Sequence, residues 1–263
     1  MRKVTMRKTT IKKTQSSYYA PDSRLAGLVK YWRIDSKGGI VSRLARVPGV
    51  YIEILFDCSS AGKKIPYLMG IQQKPVIFLK KRPAELIGIR FLPGSFFSLF
   101  RIPANRFLGK LVPLSSVTGL KAGVFNEIFA IKTLEAKVKR LDAILLDLAK
   151  TKEPVPPVII RAFKNIRAGN GMIDICSLAE NLGLTRFKFA RLFAKWAGVN
   201  PRSFCKYLCF TAAARALNEG MSVGNVVAKF GYSDQPHFIN VFKRRMGWSP
   251  TKRFKRGRRI FEA

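Results

Sequence analysis

The chain has 263 residues, 48 % of them apolar, and carries 49 Lys and Arg against 15 Asp and Glu, a formal +34 at pH 7. Such a length suits about two domains, and the apolar content excludes a generically disordered chain. No uncharged apolar run reaches the roughly 18 residues of a membrane span, and so one-sided a charge calls for a polyanionic partner such as nucleic acid. The excess is spread out: residues 1–154 hold 29 basic and 10 acidic side chains, and residues 155–263 hold 20 and 5. Charge alone therefore does not locate a binding face. Cys58, Cys176, Cys205 and Cys209 are dispersed without a CxxC pair. They read as reduced thiols of a cytoplasmic protein, with no metal and no cofactor expected.

In chain order, MRKVTMRKTTIKKTQ reads as a basic arm (residues 1–17), since no apolar stretch follows it as in a signal peptide. From Tyr18 to about Arg90 the pattern is strand-like. YIEILFDC (Tyr51–Cys58), PVIFLKK (Pro75–Lys81) and ELIGIRFLPG (Glu85–Gly94) are short β-rich runs bounded by Pro and Gly, as in an antiparallel barrel or sandwich. Gly94–Phe100 changes period and opens a short helix. In Thr133–Lys150, Leu134, Val138, Leu141, Leu145 and Leu148 form one apolar helical seam. It packs against its own domain or, alternatively, forms a dimer seam. Charged, proline-rich TKEPVPP (residues 151–157) is the linker between residues 18–150 and residues 158–254.

Beyond Pro157 the reading is all-helical. A first helix over Val158–Ala168 precedes a motif that occurs twice, in LAENLGLTRFKFARLFAKWAGVNP (Leu178–Pro201) and VVAKFGYSDQPHFINVFKRRMGWSP (Val226–Pro250). Each copy has a short helix, a turn glycine (Gly183, Gly231) and a hydroxyl cap (Thr185, and Ser233 or Asp234). A second helix follows, ending at Gly198 or Gly247 with proline three residues on. Phe189, Leu192 and Phe193 match Phe238, Val241 and Phe242 as core positions. Pro201–Glu219 is long enough for one connecting helix.

GYSDQPHFINVFKRRMGWSPTKRF resembles the signature of the AraC/XylS family of bacterial transcription regulators, at Gly231, Ser233, Asp234, Phe238, Phe242, Lys243, Gly247 and Pro250. RVPGVYIEILFD and IGIRFLPGSFFSLFRIPANRFLGKLVPLSSV are similar to the effector or dimerisation half of some of these regulators. Val47-Pro48-Gly49-Val50 departs from that half's pattern before the first strand. The resemblance implies a β-rich N-terminal domain with helices, and an all-α C-terminal domain with two helix-turn-helix motifs on a connecting helix. It implies a non-enzymatic, sequence-specific regulator in the bacterial nucleoid that places two helices in successive major grooves of promoter DNA. A homodimer, a small-molecule effector and RNA polymerase are the further partners it brings in, and no membrane.

The outward side chains are then the DNA contacts. In the first motif they are Arg186, Phe187, Lys188, Arg191 and Lys195, with Arg191 suited to guanine and the lysines to phosphate. In the second they are Gln235, Pro236, His237, Ile239, Asn240, Lys243 and Arg244, with the two amides suited to adenine. Arg245 is expected beside Lys243 and Arg244 on the phosphate backbone. The basic tail (residues 255–263, within KRFKRGRR and beyond) adds nonspecific phosphate contacts. Glu53 and Arg90, in adjacent predicted strands, form either an effector pocket or a structural ion pair. His237, the only histidine, lacks partners for a metal site or a catalytic cleft. A low-specificity nucleic-acid binder driven by charge is the alternative. An enzyme is not expected, because the N-terminal half holds no recognisable catalytic constellation.

Overall fold

The computed structural model describes residues 15–36, 42–46, 49–59, 63–74, 76–80 and 84–250. Most of the basic arm, Val47-Pro48 and the basic tail lie outside the described residues.

The N-terminal half has β1 (Gln15–Tyr19), β2 (Val29–Ser36), β3 (Ser42–Arg46), β4 (Ile52–Asp57), β5 (Tyr67–Met69), β6 (Val76–Lys80), β7 (Ala84–Phe91) and β8 (Leu111–Pro113). Six strands form an open sheet in the order β1-β2-β7-β4-β5-β8, with every pairing antiparallel, and β3 pairs β6 separately. The expected β-rich domain is present, with its sheet open and not closed into a barrel. Alternation along the strands serves two apolar layers. Tyr31, Ile54, Phe56, Ile87 and Ile89 join the main core on one face. Trp32, Leu55, Met69 and Leu86 form a smaller cluster on the other.

The helix α1 (Ser95–Phe100) follows, then 3-10 turns and α2 (Leu134–Ala149), which Thr133 caps by accepting from the Ala136 N–H. Leu141 and Leu145 are fully buried, and Leu134, Val138 and Leu148 pack against the same core. The apolar seam thus packs on the chain's own core, with Leu134, Val138 and Leu148 half-buried. Lys137 is buried beside it, 3.5 Å from Glu85, an ion pair that the apolar pattern concealed.

The C-terminal half is α3 (Pro157–Ala168), α4 (Ile175–Asn181), α5 (Arg186–Ala197), α6 (Pro201–Asn218), α7 (Val223–Phe230) and α8 (Gln235–Met246). None of the described helices is long and apolar enough to cross a membrane. The first helix-turn-helix unit and the sheet share one core, in which Phe189, Phe193, Trp196 and Phe204 are continuous with Phe97, Ile71 and Ala104. The second unit has a separate core of Phe210, Val226, Phe230, Phe238, Phe242 and Met246 with neighbouring alanines. The contact of α5 with the N-terminal half is tight. Phe97 meets Trp196 edge-on at 4.7 Å between centroids. Gly198 has φ +81°, and an added Cβ would lie 2.8 Å from the Ala104 Cβ and 2.9 Å from Ile71 Cδ1, so both backbone and space require glycine there.

Candidate nucleic-acid interface

Local chemistry builds the two motifs alike. Gly183 and Gly231 hold φ near +70°, a left-handed turn that other residues adopt at a cost. The Thr185 hydroxyl accepts from the Lys188 N–H at 3.4 Å and opens α5. In the second copy the cap is Asp234, whose Oδ1 accepts from the His237 N–H at 2.6 Å. Ser233 instead joins its hydroxyl to His237 Nδ1, 3.0 Å away. A carboxylate at a helix N-terminus also opposes the positive end of the macrodipole.

With the caps fixed, helical spacing sorts the side chains. Phe189 and Phe193 on α5, and Phe238 and Phe242 on α8, are fully buried, with Leu192 and Val241 packed beside them. Arg186, Phe187, Lys188, Arg191 and Lys195 are exposed on α5. On α8, Gln235, Pro236, His237, Asn240, Lys243 and Arg244 are exposed, and Ile239 is half-buried. Phe187 is 85 % exposed, the most open of the large exposed apolar side chains among the described residues, so it does not pack in the core. His237 meets the Tyr232 ring edge-on at 5.7 Å.

Two positions depart from the expected face. Arg245 is half-buried, its guanidinium 5.2 Å from the Phe210 ring and 5.9 Å from the Tyr207 ring. Burial lowers its pKa below the usual arginine value. It ties α8 to α6 and does not stand free beside Lys243 and Arg244, because stacking on aromatic faces buries its stem. Lys195 lies 4.5 Å over the Phe97 ring, so its ammonium is drawn toward the N-terminal half, apart from Arg186 at the other end of α5.

Two cavities flank α6. One, of about 530 Å³, separates the two helix-turn-helix units. Its floor includes Arg202, Cys205, Lys206 and Cys209, and its walls include Arg186 and Arg244. Burial pushes the Cys205 thiol up to about 11, and the Cys209 thiol also upward. Sequence reading passed over Arg202 and Lys206, although their four-residue spacing on a helix is a signal of a shared face.

The other cavity, of about 970 Å³, lies between the sheet and α6. Tyr18, Tyr51 and Tyr207 line it, with Lys30, Arg90, Arg167 and Arg215. Glu53 and Arg90 are directly paired across β4 and β7, and their side chains meet at 2.6 Å. Burial opposes the charge on Arg90, yet the Glu53 carboxylate raises its pKa above the ordinary value. The guanidinium also stacks 4.7 Å from the Tyr51 ring. The pair is at once a buried ion pair and part of a cavity wall.

Among known families, residues 178–256 match one described as a helix-turn-helix domain, and residues 17–113 match a domain of unknown function (DUF6597). No curated protein matches the chain. The solved structures it resembles include the C-terminal domain of AraT, a response regulator from Geobacillus stearothermophilus, at 24 % identity. That likeness covers 42 % of this chain and 93 % of the other, with a TM-score of 0.36. ToxT from Vibrio cholerae is similar over 91 % of this chain and 96 % of its own, at 10 % identity and a TM-score of 0.41. ToxT from Vibrio cholerae O395 bound to (E)-4-(8-methylnaphthalen-1-yl)but-3-enoic acid is similar at 11 % identity, over 91 % and 97 %, with a TM-score of 0.42.

Proposed function

Taking residues 178–256 as an AraC-type helix-turn-helix domain, we propose that the chain is a sequence-specific DNA-binding transcription regulator. Its helices α5 and α8 enter successive major grooves about one turn, ~34 Å, apart on one face of the duplex. The observation that carries this reading is the duplication. Two capped helices each bury a Phe-x-x-x-Phe stripe and each expose cations or amides on the other side. Arg191 reads guanine, Gln235 and Asn240 read adenine, and Phe187 meets a thymine methyl. Lys188, Lys243 and Arg244 hold phosphates. The +34 charge supplies the sequence-independent part of the affinity.

In this reading residues 18–150 form an effector-binding or self-association domain, residues 151–157 the linker and residues 158–254 the DNA-binding domain. The arm (residues 1–17) and tail (residues 255–263) add charge. The cavity between sheet and α6 suits a small-molecule effector, because a ligand there would touch both halves, with Arg90 on one wall and Tyr207 and Arg215 on the other. The nucleoid is the place of action, and RNA polymerase the natural further partner.

The test is competition binding at ~150–200 mM salt, where nonspecific affinity is suppressed. A promoter fragment selected by the protein should outcompete random duplex by at least ~10³. Equal competition would leave the low-specificity binder as the correct description.

A further inference from the structure

Resting on that reading, we propose that the cleft between the two helix-turn-helix units is a phosphodiester site. In it, Arg202 and Lys206 of α6 grip the DNA backbone where it passes between the two major grooves. Arg202 and Lys206 lie one helical turn apart, both exposed, on the floor of the roughly 530 Å³ cleft. Arg186, at the start of α5, and Arg244, on α8, bring a cation from each wall. Among the described residues, none of these four makes an ion pair with a carboxylate. The acid that lines the cleft, Asp174, is occupied as the cap of α4: its Oδ2 accepts from the Ser177 N–H at 2.8 Å and from the Ser177 hydroxyl at 2.6 Å.

The Asp174 carboxylate acts on Arg202 and offsets one charge; the cations still outnumber it, and low-dielectric walls focus the remaining positive field on an entering anion. The occupant follows from the position. The cleft separates the two helices that take the grooves, and between successive major grooves on one face of a duplex lies the minor groove, rimmed by two sugar–phosphate strands. A guanidinium presents a planar fork to two phosphate oxygens, and an ammonium is a point charge, so the pair suits a strand held in one register. Such contacts position the protein and read no bases.

The experiment uses the full chain, a duplex selected by the protein and a random duplex of the same length, with affinity measured against salt. Removing two phosphate contacts lowers the slope of log K against log salt by about 1.8. The double substitution Arg202→Gln with Lys206→Gln should give that decrease on both duplexes and leave their affinity ratio unchanged. Arg202→Lys, which keeps the charge, should restore the slope. Arg161→Gln with Lys164→Gln removes the same charge from α3, outside the cleft lining, and should change the slope by less than half as much. A slope unaltered by the cleft substitutions, or altered equally by the α3 pair, overturns the proposal while the wild type still prefers its selected duplex. A fall in the affinity ratio also overturns it, since the two side chains would then be reading bases. If the wild type itself shows no preference, the failure lies in the regulator reading and the cleft assignment falls with it.

Discussion

The two helix-turn-helix units belong to different cores, and replacing one phenylalanine in each should separate them. Phe242 is fully buried in the second unit, with its ring 5.7 Å from Phe210, 5.9 Å from Phe238 and 4.9 Å from Trp248. Phe242→Ala removes that ring and leaves a cavity, a change that costs about 3–5 kcal/mol. Against a total stability of about 5–15 kcal/mol this is a large share. A unit of this size has little further core from which to recover. Opening of α7 and α8 should therefore become about 10²–10³·⁵-fold more frequent, at about 1.4 kcal/mol per factor of ten, while the sheet keeps its protection. Phe193 has comparable burial but lies in the core shared with the sheet, against Phe163, Phe189 and Phe204. Phe193→Ala should deprotect α5 and the N-terminal half together. Amide hydrogen exchange read peptide by peptide by mass spectrometry measures both. Uniform deprotection of the whole chain by Phe242→Ala would refute the division into two cores.

Other consequences are as direct. Glu53→Gln leaves the Arg90 guanidinium without its carboxylate in a largely buried setting, so thermal unfolding should show a loss of about 3 kcal/mol. Replacing both partners by apolar residues of similar volume should cost less, and an equal loss would mean the pair itself is not what matters. Asp234→Ala removes the cap of α8 and should cost about 1 kcal/mol by denaturant titration, whereas Ser233→Ala should cost less, since its hydroxyl does not cap the helix. With burial holding the Cys205 thiol at about 11, above the ordinary thiol value of about 9, the native protein keeps the proton that the unfolded chain gives up. Stability from this group is complete below pH 9 and is lost as pH rises through 11. At pH 8 its thiolate fraction is about a hundredth of that in the unfolded chain, so alkylation of Cys205, followed by peptide mass spectrometry, should be slowed about as much. Equal rates in native and denatured protein would show that the thiol is not protected.

What the sequence made legible was whatever depends on neighbours in the chain. Thr133, Thr185 and Asn200 accept from backbone N–H groups three residues ahead, and Gly198 and Gly247 end α5 and α8 in the left-handed region. Caps and glycines of this kind set helix ends by local geometry, so the second-unit helices and the duplication could be read directly. Pairing of Glu53 with Arg90 was accessible too, because both lie in apolar runs of strand composition. Contacts between distant segments were not. Nothing local announces that Gly198 abuts Ala104 and Ile71, or that Lys195 is drawn over Phe97. Arg245 belongs to a basic run and still stacks on Phe210 and Tyr207, because its long stem reaches back to α6. Arg202 and Lys206 likewise carry no local sign that α4 and α8 enclose them as the floor of a cleft.

The central claim is that α5 and α8 read two successive major grooves, and selection of bound fragments from genomic DNA tests it most directly when repeated with Arg191→Ala and Asn240→Ala. The wild type should yield one motif with two elements about ten base pairs apart. Each substitution should relax a different element, at a cost of about 1–3 kcal/mol in discrimination. A single element, no motif, or a motif that both substitutions leave unchanged would contradict the account.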